Sequence, residues 1–120
     1  MPDNNLAYAS IDELAPRIES GDLSPVELTQ ASLDRIEALE PQLNAFLEVF
    51  SENALAQART AEAEIARGNY KGPMHGITVA LKDLIDVEGT ITTGGSTILK
   101  DNMATSDATI TRLLKEAGAI

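Results

Sequence analysis

An α/β chain, with helices packed on the first strands of an incomplete mixed sheet, is the fold class that this sequence predicts. Three observations carry it. Apolar residues recur at helical spacing in four segments, two short apolar runs rich in strand formers lie between them, and a third run opens at Ala119-Ile120. At 120 residues the length suits about one domain, and no linker, repeat or low-complexity tract divides it. Residues 1–120 therefore read as a single domain, expected to be incomplete because the last strand has only just begun.

Ser10 with Glu13 three positions later fits a capping box, and Leu14 and Ile18 supply an i, i+4 apolar pair, predicting a helix over 11–20 ended by Gly21. Ser24 as cap, Pro25 at the first helical position and Glu27 make the clearest helix start in the chain. Leu28, Ser32, Ile36 and Leu39 then share a face until Pro41, where the helix is expected to stop. Ala45 to Phe50 reads as a strand. Ser51 is the expected cap of a helix over 52–67 with Leu55, Ala58, Ala61 and Ile65 on one stripe, ended by Gly68.

Gly72 to Gly76 is a turn by composition, and Ile77-Thr78-Val79-Ala80-Leu81 is expected to be a buried strand. Thr90 to Ser96 reads as extended chain entering a flexible loop. Ser106 is the expected cap of a last helix over 107–117, with Ile110, Leu113, Leu114 and Ala117 on its apolar face and Gly118 after it.

Composition excludes several function classes. With 9 Lys+Arg against 19 Asp+Glu the formal net charge is −10, which repels phosphate, and an aromatic share of 3% leaves few stacking platforms, so no direct nucleic-acid partner is expected. The charge is uneven, because residues 1–67 hold 13 acids and 4 bases while residues 68–120 hold 6 and 5. The first part reads as solvated helices. No Cys is present, which removes disulfides, thiolate metal sites and cysteine nucleophiles, and His75 is the single imidazole available to any Ser-His-Asp arrangement. The N-terminus lacks the pattern of a signal peptide and no apolar run approaches a membrane span, so no membrane partner and a cytoplasmic location are expected.

Lys82 is the unusual residue. It closes the apolar run 77–81 directly before Asp83, and burying an ammonium there costs free energy unless it is paired. Desolvation also lowers a lysine pKa toward the range where a neutral amine accepts protons, so Lys82 is either a general base or a side chain that reaches solvent or a carboxylate. Gly94-Gly95-Ser96 offers a serine on a flexible backbone whose amides could face an anion, yet it lacks the last Gly of G-x-S-x-G and also reads as an ordinary turn. His75, alone in its turn, reads as structural, and Asp83, Asp86 and Glu88 are split by the strand period, which disfavours a metal site.

Residues 71–97 contain a G-P-x-H-G-I turn, a V-A-x-K-D strand end, a D-x-x-G connection and a T-T-x-G-S loop, in that order. This run closely resembles the amidase signature family near its catalytic lysine. Leu23 to Leu28, Asn44-Ala45-Phe46 and the segment from Asp107 to Ile120 also look like that family's N-terminal region, so nearly the whole chain is covered.

The resemblance implies the N-terminal part of an amidase-signature fold and hydrolysis or transfer of carbon-nitrogen amide bonds through a Ser-Ser-Lys triad, without cofactor or metal. Lys82 would be the lysine of that triad, and Asp83, Thr93, Gly94, Gly95 and Ser96 would support it. Ser96 does not match the nucleophile. Both family serines lie further along than Ile120, so this chain alone is expected to be inactive on a small-molecule amide. Exposed strand edges would invite self-association or a complementing chain. The amidase subunit of a tRNA-dependent amidotransferase, a non-catalytic protein-binding remnant and an internal Ser96/Lys82 dyad are the competing readings.

Overall fold

The computed structural model describes residues 6–120. Four α-helices appear among them: α1 (Ile11–Ser20), α2 (Pro25–Leu43), α3 (Ser51–Ala66) and α4 (Thr109–Glu116), with one short 3₁₀ turn at Thr97–Leu99. The first two form for the reasons their sequences suggest. Ser10 Oγ accepts from Glu13 N–H while the Glu13 carboxylate accepts from Ser10 N–H, the reciprocal pair of a capping box. Ser24 Oγ accepts from Val26 N–H at 2.9 Å, with Pro25 opening α2.

Pro41 does not stop α2. The helix gives up the one hydrogen bond that proline cannot donate, continues to Leu43, and ends at Asn44, whose left-handed backbone lets its N–H reach Glu40 O at 2.8 Å. α3 starts one residue earlier than expected, with Ser51 inside the helix and Phe50 at the cap position without a side-chain hydrogen bond. Asp107 stands outside α4 and Ser106 does not cap it. The Asp107 carboxylate instead accepts from Glu88 N–H at 2.8 Å and Lys115 Nζ at 2.7 Å, and the helix opens two residues later where Asp86 O receives Ala108 N–H and Thr111 Oγ1–H. Ile110 and Leu113 of the expected apolar face are exposed, whereas Thr111 is buried.

The core gathers Leu6, Leu14, Ile18, Leu23, Leu28 and Ile77, with Ala31, Ile65 and Met74 packed against it. α3 packs on α2, and its buried residues are the small Ala58 and Ala61. Ser32 of α2 meets Thr78 at 3.2 Å between hydroxyl oxygens.

Among the described residues no regular strand forms. Ala45 to Phe50 is coil, because β-propensity expresses fit to a neighbouring strand and none is beside it; Leu47 is 81% exposed. The segment 77–81 is extended but only Ile77 is buried, correcting the expectation of a buried strand, since Val79 and Ala80 have nothing packed over them. It does exchange hydrogen bonds with the end of the chain: Ile120 N–H donates to Ile77 O at 2.8 Å and Val79 N–H to Ile120 O at 2.7 Å, the alternation that parallel neighbours make. An open apolar groove of about 560 Å³ runs beside this segment, lined by Leu14, Ile36, Leu39, Phe46, Met74 and Val79 among others. No described helix is long and apolar enough to cross a membrane.

Gly68 and Gly118 end α3 and α4 in the same way. Each has a left-handed backbone (φ 84° and 83°), and in each the following N–H bonds back toward the helix, Asn69 to Glu64 O and Ala119 to Leu114 O. Their surroundings differ. A Cβ on Gly68 would meet nothing within 4 Å, whereas one on Gly118 would lie 2.5 Å from His75 Cδ2. Gly68→Ala should therefore cost only the backbone term, about 1–2 kcal/mol. Gly118→Ala should cost about 1–3 kcal/mol more from overpacking. Equal urea midpoints for the two variants would refute the close packing of Gly118 on the imidazole.

Candidate functional site

Lys82, Asp83 and the loop at Thr93 to Ser96 meet at a corner where the extended segment 77–81 ends. Lys82 follows it and opens a turn, its carbonyl accepting from Ile85 N–H at 3.0 Å. Its side chain is exposed, and among the described residues no hydrogen bond or ion pair engages its amine. The enclosure that the apolar run suggested is not found in this chain.

Asp83 holds the loop that returns to this corner. Thr93 N–H donates to Asp83 Oδ1 at 2.9 Å, Thr93 Oγ1–H donates to Asp83 Oδ2, and Gly94 N–H donates to the Asp83 carbonyl at 2.6 Å. Thr93 Oγ1 also accepts from Gly95 N–H at 3.1 Å, and Thr93 O from Ser96 N–H at 2.9 Å. These donors favour the ionised carboxylate, the Thr93 hydroxyl most, then the Thr93 and Gly95 amides, and they hold the Asp83 carboxyl below the usual aspartate range.

Two corrections follow. The amides of Gly94, Gly95 and Ser96 are all engaged inside the loop, so they do not present the anion-facing cradle that a glycine-rich turn suggested. The loop is also tied down rather than free: Ile91 bridges to Met103 in antiparallel fashion, Thr92 N–H donates to Asn102 O at 3.0 Å and Asn102 Nδ2 returns a bond to Thr92 O at 2.9 Å. Asp86 and Glu88 do not join Asp83; their backbones hold the start of α4 and Asp107 instead. Among the described residues no three His, Cys, Asp or Glu side chains gather as a metal site would require.

His75 forms a separate knot. It is 1% exposed, its Nδ1 accepts from Lys71 N–H at 3.1 Å, and that bond leaves Nε2 as the protonated nitrogen, donating to Glu64 Oε2 at 2.9 Å. Lys71 Nζ lies 3.2 Å from the same oxygen, and this hydrogen bond, ahead of the imidazole's, holds the Glu64 carboxyl below its ordinary value. Tyr70 stacks on the ring at 6.0 Å. Glu64 and Asn102 escaped the sequence reading, because an acid on a helix and an Asn in a loop carry no local sign of a partner 11 or 10 residues away.

Residues 27–120 match the Amidase family model. The chain belongs to the amidase family. Within the family, AmiD of Mycobacterium tuberculosis is 38% identical over 120 residues, covering 100% of this chain and 25% of that protein. A glutamyl-tRNA(Gln) amidotransferase subunit of an Azoarcus species is 46% identical over 112 residues, 93% of this chain and 23% of that protein. The native peptide amidase of Stenotrophomonas maltophilia superposes with a TM-score of 0.86 at 37% identity, over 95% of this chain and 24% of that one. This chain of the amidase family thus superposes on part of the fold of that peptide amidase and spans about a quarter of the length of the relatives it matches.

The Asp83 clamp has a pH signature. Because its folded pKa lies below the roughly 3.9 of an unfolded aspartate, its contribution to stability is complete above that value, declines as the pH falls below it and is lost on passing through the folded pKa. Acidification from about pH 5 to about pH 3 should lower the thermal midpoint less in Asp83→Asn than in the parent chain. Glu64 and Asp107, also held low by their partners, keep part of the acid limb in both. Parallel limbs would show that the clamp carries no ionised carboxylate.

Proposed function

We propose that this chain is the N-terminal part of an amidase that hydrolyses carbon-nitrogen amide bonds through a Ser-Ser-Lys triad, with Lys82 as its lysine. The observation that carries the reading is family membership over residues 27–120 together with the placement of Lys82 at the end of an extended segment, beside a loop anchored on its neighbour Asp83. In this reading residues 1–120 are one incomplete domain, and segments 77–81 and 119–120 are the first strands of a mixed sheet completed by the rest of the enzyme. The Ile77–Ile120 hydrogen bonds support that register. The complete enzyme acts in the cytoplasm on a small-molecule amide. The 120-residue chain alone is inactive, since the two serines come from later segments.

Chemically, the lysine takes a proton from a bridging serine, which takes one from the nucleophile as it attacks the amide carbonyl. The amine leaves with a proton returned along the same path, and water then releases the acid. Asp83 and Thr93 do not touch the reacting atoms in this scheme. They hold the backbone on which Lys82 stands.

A second reading has an observation of its own: several relatives at 41–46% identity are glutamyl-tRNA(Gln) amidotransferase subunits. There the ammonia from glutamine would pass to a partner protein. Release of free ammonia or amine without any added protein favours the first reading, and dependence on a co-purifying partner favours the second.

Lys82→Ala in the complete enzyme should lower turnover by about 100- to 10,000-fold, the range a positioned general base supplies, with an unchanged circular dichroism spectrum. Full activity of that variant would end the triad assignment. Hydrolysis by the 120-residue chain, lost on Ser96→Ala, would replace the triad with an internal Ser96/Lys82 dyad.

A further inference from the structure

We propose that Thr93 is a positioning residue for Lys82, acting through Asp83; the proposal rests on the reading of Lys82 as the base. Among the described residues no hydrogen bond or ion pair engages the exposed Lys82 side chain, so what this chain fixes is the backbone from which its flexible four-carbon stem reaches. On one side the constraint is the Val79–Ile120 hydrogen bond at 2.7 Å. On the other it is Asp83, the next residue, which is gripped at both carboxylate oxygens and at its carbonyl by Thr93 and Gly94.

Thr93 is the centre of that grip because its one hydroxyl does two jobs in a fixed direction. It donates to Asp83 Oδ2, an acceptor only, and accepts from Gly95 N–H, a donor only. The bond to the carboxylate is charge-assisted, the stronger kind. The loop itself is anchored outside the corner by Asn102 and the Ile91–Met103 bridge, so the grip refers Lys82 to a fixed frame rather than to a second mobile element.

The hydroxyl is what matters, and its removal can be separated from loss of fold. Valine at position 93 keeps the shape and the N–H bond to Asp83 and removes both hydroxyl bonds, whereas serine keeps both. In the complete enzyme, kcat is measured per active site titrated with a fluorophosphonate that labels the nucleophile, alongside KM. Thr93→Val should lower kcat by about 10- to 100-fold, as a misplacement of about 1 Å does, with KM within about twofold of the parent, and Thr93→Ser should restore most of it. A purely structural role would lower the number of titratable sites and leave kcat per site unchanged, and that outcome overturns the proposal. A loss confined to KM, or no rescue by serine, overturns it as well. If Thr93→Val yields no titratable protein, Asp83→Asn reads the same relay, because its amide has one acceptor oxygen and cannot serve both the Thr93 hydroxyl and the Thr93 N–H; unchanged kcat there is equally fatal. Lys82→Ala run beside them distinguishes the two levels: loss of turnover in Lys82→Ala with unchanged Thr93→Val rejects the positioning role alone, whereas full turnover in Lys82→Ala rejects the base assignment and this proposal with it.

Discussion

The buried imidazole of His75 is the contact on which the rest of the arrangement depends. It joins α3, through Glu64, and the adjoining 70–72 turn, through Lys71 N–H, to the end of α4, more than 40 residues further on, through the face of Gly118. Both nitrogens are satisfied in the neutral form, so the ring sits in the interior without an unpaired polar atom. Next to it, Gly76 N–H donates to Gly118 O at 2.9 Å, and the ladder-like bonds to Ile120 begin at the next residue, Ile77. The direction in which 77–81 leaves the core is set at this knot, and Lys82 lies where that direction ends.

Polar satisfaction and apolar burial divide the labour along the segment. Ile77 enters the core with Ile18, Leu23 and Leu28, a burial of the kind that contributes about 1.5–3 kcal/mol per side chain. Beyond it the apolar contribution fades, since Val79 and Ala80 lie beside the open groove. From residue 83 onward the backbone is held by hydrogen bonds instead: Asp83 with Thr93 and Gly94, Asp86 O with α4, and Glu88 N–H with Asp107. The corner at Lys82 lies at the boundary between the two regimes.

Local chemistry made much of this readable before the structure. The caps at Ser10 and Ser24 and the endings at Gly21, Gly68 and Gly118 depend on residues within about one turn of each other, and they stand where the sequence places them. Segment 45–50 is coil and segment 77–81 pairs only with the last residue of the chain for the complementary reason, because pairing depends on a neighbour that composition does not disclose. Pro41 misled because a proline in the last turn removes a single bond. Lys82 and Asp83 drew attention as a pair, yet the Thr93 grip on Asp83 was invisible, since Thr93 reads locally as one more residue of a turn. Ser106 resembles a cap, but the bonds that Asp107 accepts from Glu88 and Lys115, and those that Asp86 O accepts from Ala108 and Thr111, set the helix start beyond it.

The exposure of Lys82 bears directly on the proposed chemistry. A lysine accepts a proton near neutral pH when its charged form is disfavoured, by removal of water or by a neighbouring cation. In this chain the Lys82 side chain is exposed, and its neighbour in sequence is the carboxylate Asp83. Asp83 turns both of its oxygens toward Thr93. The clamp therefore holds the backbone beside position 82 and occupies both oxygens of the neighbouring carboxylate with donors from Thr93. Under the proposed function, exclusion of water from the amine is the requirement that residues 6–120 leave unmet.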